Sequence, residues 1–222
     1  AAGTQSKAAV NMGVKQTGAG SSYVDLAWDA QLGAGHYHTQ FSQDGKNWID
    51  MDNSSSPSES VYNLTQGASY YARVVAYKGS HYTGTHVMIG VSETAIVSTK
   101  PTEVSGLTQT AAGVNSVSMS WNASAGAASY VIYGYINYNW TQIGTSATNS
   151  ATITGVAATT STRFSVAAVK NVTGGTVTGD QCSGVEMKAI PIKVSRIAMQ
   201  YYWDSLKLSL IHISEPTRLD VI

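Results

Sequence analysis

Charged residues are scarce in this chain: they make up 12% of its 222 residues, against about 25% in an average soluble protein. Lys and Arg together number 13, and so do Asp and Glu, so the sequence predicts no basic surface for nucleic acid. No apolar run approaches the ~18 residues of a membrane-spanning helix. The single cysteine, Cys182, excludes an internal disulfide and a cysteine-based metal site.

Hydrophobic residues, in contrast, make up 43% of the chain, and they alternate with polar residues over short stretches. Clear examples are residues 24–28, 70–74, 117–121 and 163–166. Such alternation buries one face of a strand and leaves the other in water. Gly, Ser and Asn lie between these stretches, and Asp44-Gly45 is the strongest signal for a two-residue hairpin turn. The pattern predicts an all-β fold of the sandwich type.

The chain also repeats itself with a period near that of a whole sandwich domain. Trp28 recurs as Trp121, and Tyr37 recurs as Tyr130, both at the same separation. A period of this length is far longer than a solenoid repeat. Pro101 cannot donate a hydrogen bond to a strand ladder, which favours a connection at that point. We therefore expect two domains, residues 1–99 and 100–190, joined end to end by a short linker with limited freedom.

Each repeat contains the same series of motifs. The first has YVDLAW (23–28), GHYHTQFSQDGKNW (35–48) and LTQGASYYARVVAY (64–77), and the second has PTEVSGL, NSVSMSWNA and GAASYVIYGY. In order and spacing these motifs resemble fibronectin type III modules, which are immunoglobulin-like β-sandwiches. The resemblance implies structural roles for Trp28, Trp121, Leu64 and the "tyrosine corner" residue Tyr70. The second repeat has Thr162 at the corner position, which implies a looser corner there.

The end of the chain departs from this pattern. PIKVSRI (191–197) matches PTEVSGL (101–107), so we expect residues 191–207 to be the truncated start of a third module. LSLIHISEPTR (208–218) resembles the translation of sequencing-adapter DNA, which implies a non-native tail over residues 208–222. The alternative is a genuine C-terminal segment. The run-on end and the absent start suggest a metagenomic fragment of bacterial origin.

Few residues form a pattern that could carry chemistry. There is no nucleophile motif and no cleft-forming pair of carboxylates, so we expect no enzymatic activity and no cofactor. His36 lies on a predicted strand beside His38, and His81 and His86 lie in a long loop at the same pole of the fold that the resemblance implies. His36, His81 and His86 are therefore a weak candidate for a divalent metal site. The alternative is three separate, solvated histidines.

Aromatic residues are a better indication of binding. Four of them crowd one hairpin of the second repeat: Tyr133, Tyr135, Tyr138 and Trp140. Exposed flat rings can stack on sugars or fill a pocket of a partner protein. The alternative is that Trp140 covers the sheet and the tyrosines form cross-strand pairs.

The function that follows is that of tandem, non-catalytic modules of a larger extracellular or cell-surface protein. The short linker favours a spacer or interaction role, and the partner would be a protein or polysaccharide at a cell surface. One alternative is a binding module for carbohydrate or a surface protein, as in adhesion. Another is an accessory region of a secreted carbohydrate-active or cell-wall-processing enzyme. Fold alone does not decide among these roles.

Overall fold

A computed structural model describes residues 9–79, 86–158 and 161–191 of the chain. Within these ranges there are seventeen strands and no helix, and the strands form four sheets. The prediction of an all-β sandwich fold is therefore confirmed. The predicted third module and non-native tail lie outside the described residues, apart from Pro191, and so does His81.

Nine strands form the first unit, in two sheets. Their bounds are β1 Ala9–Val10, β2 Lys15–Ala19, β3 Val24–Ala27, β4 His36–Ser42, β5 Ile49–Ser54, β6 Ser58–Val61, β7 Ser69–Lys78, β8 Val87–Ser92 and β9 Ala95–Ser98. The smaller sheet has the order β2-β3-β6, and the larger has the order β1-β8-β7-β4-β5, with β9 also paired to β7. All neighbours are antiparallel except β1, which runs parallel to β8.

Eight strands form the second unit and repeat this arrangement. They are β10 Thr108–Gly113, β11 Ser116–Ser120, β12 Ser129–Ile136, β13 Asn139–Ser146, β14 Ser150–Thr154, β15 Thr162–Val172, β16 Gly175–Thr178 and β17 Val185–Met187. The smaller sheet is β10-β11-β14, and the larger is β13-β12-β15-β16, with β17 paired to β15.

Each unit has its own hydrophobic core, and one contact is the same in both. Trp28 follows β3 and meets Tyr37 edge-on, with ring centroids 5.4 Å apart and planes at 67°. Trp121 follows β11 and meets Tyr130 at 5.3 Å and the same angle. Both tryptophans are buried, with 5% and 3% of their surface exposed. Edge-to-face packing suits the charge distribution of aromatic rings, so the pair fixes one sheet against the other.

The hydroxyl groups of the same two tyrosines bond to the backbone. The Tyr37 hydroxyl accepts the N–H of Gln31 at 3.0 Å, and the Tyr130 hydroxyl accepts the N–H of Ser124 at 3.0 Å. In each case the donor lies six residues earlier. A buried polar group without a hydrogen-bond partner is costly. These bonds therefore allow the tyrosine rings to be buried, and they hold the loops before β4 and β12 in place.

The prediction of a two-residue turn at Asp44-Gly45 is wrong. Strands β4 and β5 are joined by six residues, 43–48. The Asp44 carboxylate accepts the N–H groups of Lys46 and Asn47, both at 2.8 Å, and these bonds hold the pKa of Asp44 well below its usual range. Side-chain capping therefore stabilises a longer loop than the Asp-Gly pair alone suggests.

Candidate functional site

The aromatic residues predicted as a ligand site lie on the β12–β13 hairpin. The two strands pair from Tyr130↔Ser146 to Ile136↔Asn139, which leaves only residues 137 and 138 in the turn. Tyr135 and Trp140 are direct cross-strand partners, and their rings are 5.3 Å apart with planes at 61°.

Exposure differs among the four aromatic side chains. Tyr138, at the tip, is 89% exposed, whereas Tyr135 and Trp140 are 39% and 37% exposed. Tyr133 is half-buried and lies closer to the middle of the sheet, opposite Gln142. The hairpin thus brings Tyr135, Tyr138 and Trp140 together at its outer end, whereas Tyr133 contributes less accessible surface.

The Trp140 ring is supported from below by a glycine. A Cβ added to Gly184 would lie 2.7 Å from Cη2 of Trp140, a distance at which one of the two groups must shift. The ring therefore rests directly on the backbone just before β17. Sequence patterns do not reveal this support, because Gly184 and Trp140 are far apart in the chain.

The histidines of the first unit form an aromatic cluster. His36 and His38 on β4 lie beside Tyr77 on β7 and His86, which immediately precedes β8. The His36 and His86 ring centroids are 5.4 Å apart, and His38 is 5.4 Å from His36. His36 Nδ1 is 2.9 Å from the carbonyl oxygen of Gly79, which fixes the orientation of that ring.

The structure thus brings two of the three metal-candidate histidines together, His36 and His86. Tyr77, which is not one of the predicted metal-candidate residues, stacks on the His36 ring with the ring centroids 5.2 Å apart. Within the described ranges, no group of three His, Cys, Asp or Glu residues is arranged to hold a metal ion. In the described part of this cluster, the rings of His36, His38, Tyr77 and His86 pack against one another.

The two units touch through hydrogen bonds that the sequence did not predict. The β15–β16 turn of the second unit reaches the β9 strand of the first. The Thr173 N–H donates to the Ile96 carbonyl at 2.8 Å, and the Ile96 N–H donates to Thr173 Oγ1 at 2.7 Å. Beside this contact is a cleft of about 350 Å³ between β2 and the β15–β16 hairpin.

A buried lysine lies at the same junction. Lys170 on β15 is only 4% exposed, and its ammonium group donates to the carbonyl oxygen of Gly67 in the first unit. Burial lowers the pKa of Lys170. Nearby, Lys100 and Asp180 form an ion pair at 2.7 Å. These bonds place Lys100, Lys170, Thr173 and Asp180 at the junction.

None of the described residues belongs to a helix long and apolar enough to cross a membrane. No protein-family model matches the chain, and no curated protein matches it in sequence.

Several solved structures are similar to this chain. One contains the FN1–FN3 domains of chicken CNTN1, at 14% identity, covering 82% of this chain and 68% of that one, with a TM-score of 0.45. Another is a two-domain fibronectin type III segment of chicken tenascin, at 17% identity, 79% and 97% coverage and a TM-score of 0.39. A third is the fibronectin type III domain of human fibronectin type III domain containing protein 3, at 19% identity, 44% and 94% coverage and a TM-score of 0.37. All three neighbours are fibronectin type III domains.

Proposed function

We propose that the chain is a non-catalytic tandem pair of fibronectin type III modules from a larger extracellular or cell-surface protein, and that it acts as a spacer of fixed geometry. The observation that carries this proposal is the hydrogen-bonded junction between the two units. A spacer holds its flanking regions at a defined distance only if its own modules do not rotate freely.

The linker itself is tied to the first unit. The Lys100 N–H donates to the Gly20 carbonyl at 2.9 Å, and the Lys100 carbonyl accepts the Gly67 N–H at 3.1 Å. Pro101, which follows, is buried. The backbone of Lys100 is hydrogen-bonded, and the ring of Pro101 fixes its φ angle. The linker therefore has fewer accessible conformations than a flexible connection.

The contacts across the junction favour one relative orientation. Lys170 is buried at this contact, and a buried ammonium group is costly unless it is hydrogen-bonded. The bond to Gly67 satisfies it in this arrangement of the units. Moving the units apart while the ammonium group stays buried would leave it without this acceptor, which disfavours other arrangements. The pair of bonds between Ile96 and Thr173 adds a second fixed point, so rotation about the linker would break both contacts.

The proposal is tested by measuring the distance between spin labels on the two units. The labels are placed at Leu32→Cys, where the native side chain is 94% exposed, and at the exposed Ala147→Cys. Both sit in a Cys182→Ala background, so that the buried native thiol does not interfere. We expect one narrow distance distribution for the intact junction.

Two variants and one control complete the experiment. Lys170→Ala combined with Thr173→Pro should broaden the distribution, because both junction contacts are removed. Lys188→Ala, which removes an exposed lysine outside the junction, should leave it narrow. A Gly-Gly-Ser insertion after Thr99 gives the width of a flexible linker. If the unmodified junction is already as broad as this insertion, the fixed-spacer proposal is wrong.

A binding function is the second candidate, because Tyr138 is almost fully exposed at the hairpin tip. The partly exposed Tyr135–Trp140 pair lies on the same hairpin, and exposed apolar side chains that cluster favour contact with a partner such as a carbohydrate or a surface protein. This role is compatible with the spacer role, since the hairpin tip and the junction involve different residues.

A further inference from the structure

The second unit ends in the same way as the first. At the end of the first unit, the Lys100 N–H donates to the Gly20 carbonyl at 2.9 Å. At the end of the second, the Ile190 N–H donates to the Gly113 carbonyl, also at 2.9 Å. A proline follows in both places, at residues 101 and 191. The chain therefore leaves both units along equivalent paths, and we call each of these ends an exit.

The proline is buried at the first exit and exposed at the second. Pro101 is buried, whereas Pro191 is exposed. Gly179 of the second unit lies against Pro101, since a Cβ added to this glycine would lie 3.0 Å from the Pro101 carbonyl oxygen and 3.3 Å from the Pro101 Cβ. The first exit is therefore covered by the unit that follows it, whereas the described residues leave the second exit open.

Exposed apolar side chains lie at the second exit. An isolated bridge pairs Val114 with Ile190, and these residues are 55% and 47% exposed. At the first exit the equivalent positions hold Ser21 and Lys100, and Lys100 is ion-paired with the second unit. Three exposed apolar residues thus form what we call the exit patch: Val114, Ile190 and Pro191. Lys188, two residues before Ile190, is also exposed, and it puts a positive charge at the edge of the patch.

The chain continues from the exit patch into a segment with an alternating pattern. Residues 192–203 read IKVSRIAMQYYW, in which Ile197, Met199, Tyr201 and Trp203 fall at every second position. This spacing predicts a strand with one apolar face, which is unfavourable in water unless it is covered. The two basic residues of the segment precede this run, so the run itself carries no charge.

We propose that the exit patch is the docking surface for the segment that follows it, residues 192–203, with the apolar face of the segment against Val114 and Ile190. Docking removes apolar surface of both partners from water. The fixed φ of Pro191 limits the directions in which the segment can leave the second unit. An attached segment has a high effective concentration at the patch, whereas a second copy of the chain would lose translational freedom on binding. This inference extends the proposed tandem arrangement to the second exit.

The test is the rate at which a thiol at the patch reacts with a water-soluble disulfide reagent. Val114→Cys is made in a Cys182→Ala background, so that the chain has a single thiol. The full chain is compared with a chain that ends at Pro191. We expect the full chain to react about fivefold or more slowly, because the thiol reacts only while the segment is undocked. Leu32→Cys in the same background is the control, because this position is 94% exposed in the first unit and should react equally fast in both chains.

A pair of matched variants keeps the length of the segment. Ile197→Asp with Tyr201→Asp places two charges on the apolar face, and the Val114→Cys thiol should then react as fast as in the shortened chain. Ala198→Asp with Gln200→Asp adds the same charge to the opposite face and should leave the reaction slow. Calorimetry of each variant shows that the two units remain folded, since the changes lie outside both cores.

Three results would overturn the proposal. The first is an equal rate of reaction in the full and shortened chains. The second is an equal effect of the two aspartate pairs. The third is a slow rate that depends on protein concentration, which would mean that a second copy covers the patch. The junction variants Lys170→Ala and Thr173→Pro should leave the rate unchanged, so the spacer proposal and this one fail independently.

Discussion

Replacing Tyr138 with glycine should stabilise the second unit. Tyr138 has a positive φ of 63° in the β12–β13 turn, and this left-handed conformation costs an L-amino acid about 1–2 kcal/mol. Glycine adopts it without that cost. Glycine loses more backbone entropy on folding, about 0.5–1 kcal/mol. The ring is 89% exposed, so little buried surface is lost with it. The difference is a gain of about 0.5–1 kcal/mol in the free energy of unfolding.

This gain is measurable by scanning calorimetry of the full chain. For a domain of this size, 1 kcal/mol corresponds to a Tm shift of about 4–8 °C, so the second unit should melt about 2–8 °C higher. Asn115→Gly is the matched control, because Asn115 also has a positive φ, 56°, in the β10–β11 turn. Asparagine tolerates this conformation, so its replacement should change Tm little. A lower Tm for Tyr138→Gly, or an equal rise for Asn115→Gly, would refute the strain argument.

Three further predictions concern single contacts. Tyr70→Phe removes the hydroxyl that accepts the Thr65 N–H at 3.0 Å, and it should lower the free energy of unfolding of the first unit by about 1 kcal/mol. Chemical denaturation measures this change, and an unchanged midpoint would show that the bond contributes nothing. Asp44 has a lowered pKa, so its hydrogen bonds stabilise the fold at pH values above the pKa of Asp44 in the unfolded chain. This stabilisation is lost as the pH falls toward the pKa of Asp44 in the folded chain. Asp44→Asn should therefore flatten the decline of Tm below about pH 4, and an unchanged dependence of Tm on pH would contradict the role of the Asp44 carboxylate. Gly184→Ala should force the Trp140 ring to move, because the added Cβ would lie 2.7 Å from it. The tryptophan emission maximum should shift, and an unchanged emission spectrum would mean that the ring does not rest on this glycine.

How well a feature of this fold could be predicted depends on how far apart in the sequence the interacting residues lie. Alternation along strands depends on neighbouring residues, so the sandwich could be predicted from short stretches, and the recurrence of Trp28 at Trp121 marked equivalent places in the two cores. Turn geometry was harder. Asp44-Gly45 gave the strongest hairpin signal, yet carboxylate capping produced a longer loop there. The turn at Tyr138 has no glycine signal, because its residue is unfavourable for the conformation it adopts.

Contacts between distant segments had no sequence signal. The bonds from Thr173 to Ile96 depend on the relative placement of two folded units, which no local pattern encodes. The same holds for Lys170, which a sequence analysis treats as an exposed lysine because most lysines are exposed. Tyr77 joined the histidine cluster through strand register, which pairs it with His36 across β4 and β7. A tertiary arrangement was needed to find these contacts.

The junction also has a consequence for synthesis on the ribosome. Ile96 and the residue that covers it, Thr173, are separated by 77 positions in the chain. At a translation rate of 5–20 residues per second, this separation corresponds to a delay of about 4–15 s. During that interval the first unit can fold while the outer edge of β9, with Ile96 at its centre, has no second unit to cover it. An uncovered strand edge is a template for mispairing with other chains, so the nascent protein is most vulnerable to aggregation between the emergence of β9 and that of the β15–β16 hairpin.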